Sequence, residues 1–278
     1  VTLYFVFFKA PDLAMTQILV EVVTGMMLLV MVWVFRREKR IIESRWRFGF
    51  RWAAAALVAA TSAMIVLTYS DREISKPLAE YFLTSSLPLA DGSNSVNVIL
   101  VDFRGMDTLG EITVLLIAAM GIIGLVSKTK KPEISFAGRM DLIPSDILRS
   151  LIPAVFFTIN FFALYLLVRG HNEVGGGFIA GLASGIAFIL LDFILQLGNL
   201  KKILPVNLLL FSGSGIFLSF MVGVLPILFE KAFLTHSILD LPTALFFDVG
   251  VFVAVLGVVL IGVFALRSDA LRVDGHHG

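Results

Sequence analysis

No cysteine occurs anywhere in the 278 residues. The chain therefore closes no disulfide and offers no thiolate to an iron–sulfur cluster, so any electron-transfer step belongs to another polypeptide. Histidine is nearly as scarce: His171, His236, His276 and His277 all fall in loops or in the tail. No two of them can face each other across a bilayer to hold a haem. Charge is thin as well. Asp, Glu, Lys and Arg make up 15% of the residues against 58% apolar side chains, with a mean hydropathy of +0.94, whereas an ordinary soluble domain carries about 25% charge. The composition is that of an integral membrane protein. It offers no nucleophile or metal constellation either. No combination of Ser, His and Asp lies within an apolar stretch. His171 and Glu173, two apart, lack the helical spacing of a zinc pair, and Gly213-Ser214-Gly215 follows no strand that would make it a nucleotide loop.

What the chain does have is apolar runs, at residues 13–35, 52–69, 108–126, 150–168, 174–196, 203–229 and 244–266. Each is near the length, about 20 residues, that carries a helix across roughly 30 Å of hydrocarbon. The expected fold is therefore all-α and polytopic, with seven transmembrane helices in a three-span plus four-span arrangement. Residues 1–126 form the first membrane domain, 127–149 a polar linker containing Pro132 and Pro144, and 150–278 the second domain. The apolar opening Val1 to Phe8 is too short to span and reads as the end of a preceding helix.

All 22 Lys and Arg lie outside the apolar runs. Arg36 to Arg51, Lys128 to Arg149, Lys201, Lys202, Arg267 and Arg272 fall on one side; Lys9, Arg72, Lys76, Arg104, Arg169 and Lys231 fall on the other. Cations concentrate on the cytoplasmic side of membrane proteins, so the C-terminus and the linker are expected to be cytoplasmic in a multi-pass protein of the cell membrane. The formal net charge of +1 follows from topology and suggests no nucleic-acid partner.

Four acids do sit inside the runs: Glu21, Glu111, Asp192 and Asp248. A carboxylate in hydrocarbon must be protonated, bind a cation, or meet a partner. Glu21 lies about 12 Å along its helix from residue 13 at 1.5 Å per residue. Gln17, Glu21 and Thr24 follow i, i+4, i+7 and so form one polar stripe on an apolar helix. Such a stripe faces protein or a water-filled cavity; its structural alternative is a protonated Glu21 bonded to a neighbouring helix. Glu111, beside Thr108 and Thr113, opens its span, where the helix dipole alone favours an acid. Asp192 and Asp248 lie about one helical turn from a span end and read first as structural.

Two further features concern packing. Gly177, Gly181 and Gly185 recur every fourth residue on one helix face, which lets another helix approach closely. The loop Arg169-Gly-His-Asn-Glu-Val-Gly-Gly-Gly177 is short and uses its glycines to reverse the chain. In the outer connection 70–107, Ser75 to Ser85 suggests a short helix, and Asn97 to Phe103 is apolar enough to dip into the bilayer before Arg104-Gly105 breaks it.

At these residues the chain resembles a known family. Ala10-Pro-Asp-Leu-Ala-Met-Thr-Gln17 followed by Glu21, and Asn97-Val-Ile-Leu-Val-Asp-Phe-Arg-Gly-Met-Asp-Thr-Leu-Gly-Glu111, resemble the C-terminal membrane segments of the A-type polypeptide of Mrp-type multisubunit Na+/H+ antiporters. Residues 169–185 with Pro242 to Gly250 resemble the B-type polypeptide of the same complexes. Related modules occur in membrane-bound hydrogenases. The resemblance implies a transporter subunit, not an enzyme in its own right, that helps form a sodium path. It implies Na+ and H+ as transported ions, no cofactor, and partners that include large antiporter-like subunits and the lipid bilayer. Glu21 and Glu111, with Thr24, Gln17 and Asp248, are the residues to which ion transfer falls; Na+ would rest transiently at Glu21 or Glu111, on carboxylate, carbonyl, hydroxyl and water oxygens. Independent antiport is not expected, because the large antiporter-like portion is not in this sequence, and Val174 stands where the family pattern has Pro. The alternatives are an ion-translocating member of a redox-driven complex and a non-conducting scaffold with protonated acids.

Overall fold

A computed structural model describes residues 2–7, 9–35, 45–70, 76–128, 146–195, 207–236 and 243–266. Ten α-helices run in chain order among them: α1 (Thr2–Phe7), α2 (Pro11–Phe35), α3 (Arg45–Ser70), α4 (Lys76–Ala90), α5 (Ser95–Val98), α6 (Gly105–Lys128), α7 (Asp146–Arg169), α8 (Gly177–Leu195), α9 (Leu208–Val224) and α10 (Thr243–Leu266). The described residues contain no strand. Only helices or closed barrels satisfy their own backbone in hydrocarbon, so the all-α expectation holds. Six of the helices, α2, α3, α6, α7, α9 and α10, are long and apolar enough to cross a membrane; the apolar part of α8, Gly177–Asp192, is shorter. The expected linker lies, apart from the ends of α6 and α7, outside the described residues.

The centre of the bundle is α10. It packs against α9, α8, α6, α2 and α7, and Phe247, Val251, Ala254, Val255 and Leu260 along it are almost wholly buried. Lipid tails are as apolar as leucine, so nothing hydrophobic drives helices together inside a bilayer; close van der Waals approach and interhelical hydrogen bonds must do it. The α9–α10 crossing uses both. A Cβ on Gly250 would meet Ser219 Oγ at 2.2 Å and the Gly215 carbonyl oxygen at 2.6 Å. Ser212 Oγ donates to the Ala254 carbonyl at 2.8 Å and Ser219 Oγ to that of Phe247 at 3.0 Å. The α8–α10 face is built in the same way from Gly177, Gly181 and Gly185. Cβ atoms there would meet the Asp248 backbone oxygen at 2.1 Å, the Phe252 oxygen at 3.0 Å and Val259 Cγ1 at 2.7 Å.

One helix stands apart. Every side chain described along α3 is exposed, Trp46, Phe48, Trp52 and Leu57 among them, and α3 has no extensive contact with the other described helices.

The N-termini of α2, α6, α8 and α10 and the C-termini of α7 and α9 gather at one end, tied by hydrogen bonds from α2 to the loop before α8 and from α5 to α10. Lys9, Arg104, Arg169 and Lys231, cations of the less basic side of the sequence, fall at this end. The chain between α4 and α6 folds onto it. Asn94 caps α5 by accepting from the backbone N–H of Val96 and Asn97, which starts a short helix. The path continues through a π-helical turn at Ile99–Phe103 and breaks at Arg104. Thr108 Oγ1 donates to the Leu100 carbonyl at 2.6 Å and so closes the break against α6. Sequence placed a short helix from 75 to 85 and a break at Arg104-Gly105; the helix runs on to Ala90 and the break is where it was expected.

Candidate functional site

At that end of the bundle lies a buried polar knot. Its first half is centred on Asp12, in the first turn of α2. One carboxylate oxygen accepts the Gly175 N–H at 2.9 Å and a longer bond, 3.4 Å, from Asn94 Nδ2. The same Asn94 amide donates to the carbonyls of Gly170 and Glu173 at 2.9 and 2.7 Å. Ser93 Oγ extends the clasp by donating to the Asn172 carbonyl at 2.7 Å. The glycine loop thus has its backbone polar groups met by side chains from α2 and from the chain before α5, as buried polar groups require.

The second half is centred on Asp248, one and a half turns into α10. Its Oδ1 accepts the Gly177 N–H at 2.9 Å and its Oδ2 accepts Asn97 Nδ2 at 3.0 Å. The Gly177 N–H belongs to the first turn of α8, where unpaired amides and the helix dipole favour a carboxylate. Asn97 Oδ1 lies 3.2 Å from His171 Nδ1, and His171 Nε2 lies 3.0 Å from the Ala90 carbonyl oxygen. Two glycines leave the room. Gly176 has φ +113, and its Cβ would stand 2.8 Å from Asn97 Nδ2; a Cβ on Gly92 would meet His171 Nε2 at 2.8 Å.

A neighbouring cluster ties the loop between α9 and α10 to the π-helical turn. Asp102 accepts the His236 backbone N–H at 2.9 Å. The His236 ring sets Nε2 2.9 Å from the Val101 carbonyl, which can only accept, so the neutral tautomer carries the proton on Nε2; Nδ1 lies 3.2 Å from Thr243 Oγ1, whose hydroxyl donates to the His236 carbonyl at 2.8 Å. Burial pulls His236 down to about 4 from its ordinary 6.5, against the Val101 hydrogen bond and with the help of nearby His171. Burial pushes the Asp102 carboxyl up, opposed by the His236 N–H and by His171.

The residues singled out from sequence are dispersed. Glu21 and Thr24 are exposed on the outside of α2 and Gln17 is half-buried, with Gln17 Nε2 donating to Glu21 Oε1 at 2.8 Å. The stripe therefore exists and faces away from this chain's own core. Glu111 is exposed on α6. Asp192 is buried towards the end of α8. Asp248 turns into the bundle instead of reaching the interface, and is 4% exposed. The knot joins Asp248 to residues that sequence reasoning did not connect, Asp12, Asn94, Asn97 and His171, and Asp102 with His236 form the cluster beside it. The only local signal was Asn94 and Asn97 standing three apart before an apolar run. Among the described residues, no three His, Asp or Glu side chains gather to hold a metal ion.

Comparison with known proteins resolves the chain into three matches. Residues 147–261 match a family described as a domain related to the MnhB subunit of Na+/H+ antiporter. Residues 50–139 and 1–37 match the families MbhE and MbhD, described as the E and D subunits of MBH. The chain is 31% identical to the A/B polypeptide of a probable K+/H+ antiporter from Rhizobium meliloti, over 98% of its own length and 31% of that protein. It is 39% identical to the A polypeptide of the Na+/H+ antiporter of Alkalihalophilus pseudofirmus, covering 50% of this chain and 17% of the relative. It is 35% identical to the B polypeptide of the Na+/H+ antiporter of Bacillus subtilis, covering 41% of this chain and 87% of the relative. Of the A/B and A relatives, then, it spans a third or less. Among solved structures, a chain of the Mrp complex from Dietzia superposes with TM-score 0.77 at 31% identity, over 99% of this chain and 32% of that one. A chain of the membrane-bound sulfane sulfur reductase shares the fold, with TM-score 0.53 at 21% identity.

Proposed function

Because the chain belongs to the MnhB-related family of Na+/H+ antiporter subunits, we propose that it is a membrane component of a multisubunit cation/proton antiporter whose first half lends acids to the sodium path. One observation carries this reading. Glu21 and its Gln17 partner lie at mid-helix on the outer face of α2, where lipid would leave a carboxylate unsolvated. A polar stripe in that place is explained by a neighbouring polypeptide that completes a hydrated route beside it. Glu111 on α6 is the second acid offered outward, and Thr24 adds a hydroxyl to the Glu21 stripe. On this reading residues 1–126 form the A-like half, 150–278 form the B-like half, and the tail after α10 is cytoplasmic. The chain works without a cofactor, and chemistry beyond ion transfer belongs to its partners.

Glu21→Gln keeps the shape and removes the charge. In the intact complex, sodium-dependent proton movement in vesicles should fall about tenfold or more while the complex assembles in normal yield. Transport at the unaltered rate would reject the role.

A second reading keeps the same ion path and couples it to redox chemistry. It is favoured by the matches of residues 1–37 and 50–139 to the MBH families. Chains that purify with this one distinguish the two: cysteine-rich cluster-binding subunits support the redox arm, and antiporter-like subunits alone count against it.

A further inference from the structure

At the knot, hydrogen-bond direction decides where protons sit. Asn97 turns its Nδ2 to Asp248, so the atom it offers His171 Nδ1 is Oδ1, an acceptor. On the other side of the ring, Nε2 meets the Ala90 carbonyl, again an acceptor. A ring between two acceptors satisfies both only with a proton on each nitrogen, which is the imidazolium form. The matching negative charge lies one amide away, on Asp248, steadied by the Gly177 N–H. No other ionisable side chain is present among the described residues of α10.

We propose that His171, Asn97 and Asp248 form a proton-binding site, in which one proton is held on the His171 ring opposite ionised Asp248 and the Asn97 amide bridges the two. The site has a second arrangement with the same number of hydrogen bonds. If the Asn97 amide turns over, Nδ2 donates to an unprotonated His171 Nδ1 and Oδ1 accepts from protonated Asp248. One proton has changed owner between Nδ1 and the carboxylate; no electron moves. His171 is half-buried in the loop before α8 while Asp248 is buried, so the proton enters and leaves at the histidine. The surrounding charges are already engaged. Asp12 is held by Gly175 and Asn94, Asp102 by the His236 backbone, Arg169 by Glu173 and Arg104 by Asp107. His236 is kept neutral by its burial between Val101 and Thr243, and Asp91 is exposed at the turn before α5.

The site is separate from the stripe on α2, and its test reads no transport, so its failure would leave the sodium-path reading standing. The measurement is 15N NMR of the assembled complex near neutral pH, with this chain labelled at histidine and the tail residues His276 and His277 replaced by Gln. Two rings remain. The expected spectrum shows one ring protonated on both nitrogens and one neutral ring. His171→Gln should remove the doubly protonated signal, and Asp248→Asn should convert it to a neutral ring. Two neutral rings in the unaltered site, or a doubly protonated ring indifferent to Asp248→Asn, would overturn the proposal. A second measurement covers variants that assemble poorly: the melting temperatures of His171→Gln, Asp248→Asn and the double variant. A bridged charge pair makes the double loss smaller than the sum of the single losses; simple additivity counts against it.

Discussion

His236 shows how one buried side chain makes this protein sensitive to acid. Its ring is neutral when folded and is held at about 4 by burial, against 6.5 in the unfolded chain. Between those values the unfolded chain binds more protons than the folded one, so stability rises with pH there. The contribution of the neutral ring is complete above about pH 6.5 and is lost as pH falls towards 4. Asp102, whose carboxyl burial pushes up, works in the opposite sense and blunts the slope. The melting temperature of the complex should therefore drop on acidification through this window. His236→Gln, which keeps a donor near Val101 but does not titrate, should flatten the drop; an unchanged slope would show that another group governs it. Also at this scale, histidines that look equivalent in sequence diverge. His171 and His236 are both loop residues, yet one ring lies between two acceptors and the other has a hydroxyl on one side. Asn97, Ala90 and Val101, distant in sequence, together with Thr243 decide that.

Among the elements, α10 carries the most information. Its run from Thr243 to Leu266 announces a span, but not that it is the central one. The centre follows from the small residues facing it, Gly177, Gly181 and Gly185 on α8 and Ser212, Gly215 and Ser219 on α9. The α8 stripe was legible because its spacing of four is regular within one helix. The α9–α10 crossing was not, because Gly250 and Gly257 gain meaning only when opposed by Ser219 and Ser212. Gly250→Ala tests the crossing. Its methyl would collide with Ser219 Oγ and the Gly215 carbonyl, part of which is backbone and cannot swing away. Overpacking of this kind costs about 1–3 kcal/mol, so the melting temperature should fall by several degrees. Gly110→Ala on α6, where a Cβ meets nothing within 4 Å, is the control and should change it little. Equal effects of the two would refute the packing argument.

For the whole molecule, the decisive fact is how much of it is left uncovered. The α3 surface and the Glu21–Thr24 face find no cover among the described residues, and the proposed assembly would supply it. The absence of cysteine makes this directly testable. Thr24→Cys introduces the sole thiol of the chain, which should react readily with a small thiol reagent in the separately expressed protein. In the assembled complex it should be protected at least about tenfold. Protection is read as a labelling rate, and burial of an interface site excludes reagent as it excludes water. Equal labelling in both states would mean that this face meets lipid and not a partner.

Composition and the spacing of apolar runs were sufficient to determine the membrane environment, the helical class and the polar stripe on α2. Each depends on local periodicity or on position along a single helix, and those are properties of consecutive residues. Tertiary structure alone decided that α10 is central, that Asp248 turns inward, and that Asp12, Asn94, Asn97 and His171 meet it around a glycine loop. Those pairings join residues as far apart as 163 positions, and a buried hydrogen bond leaves no periodic trace in the segments it connects.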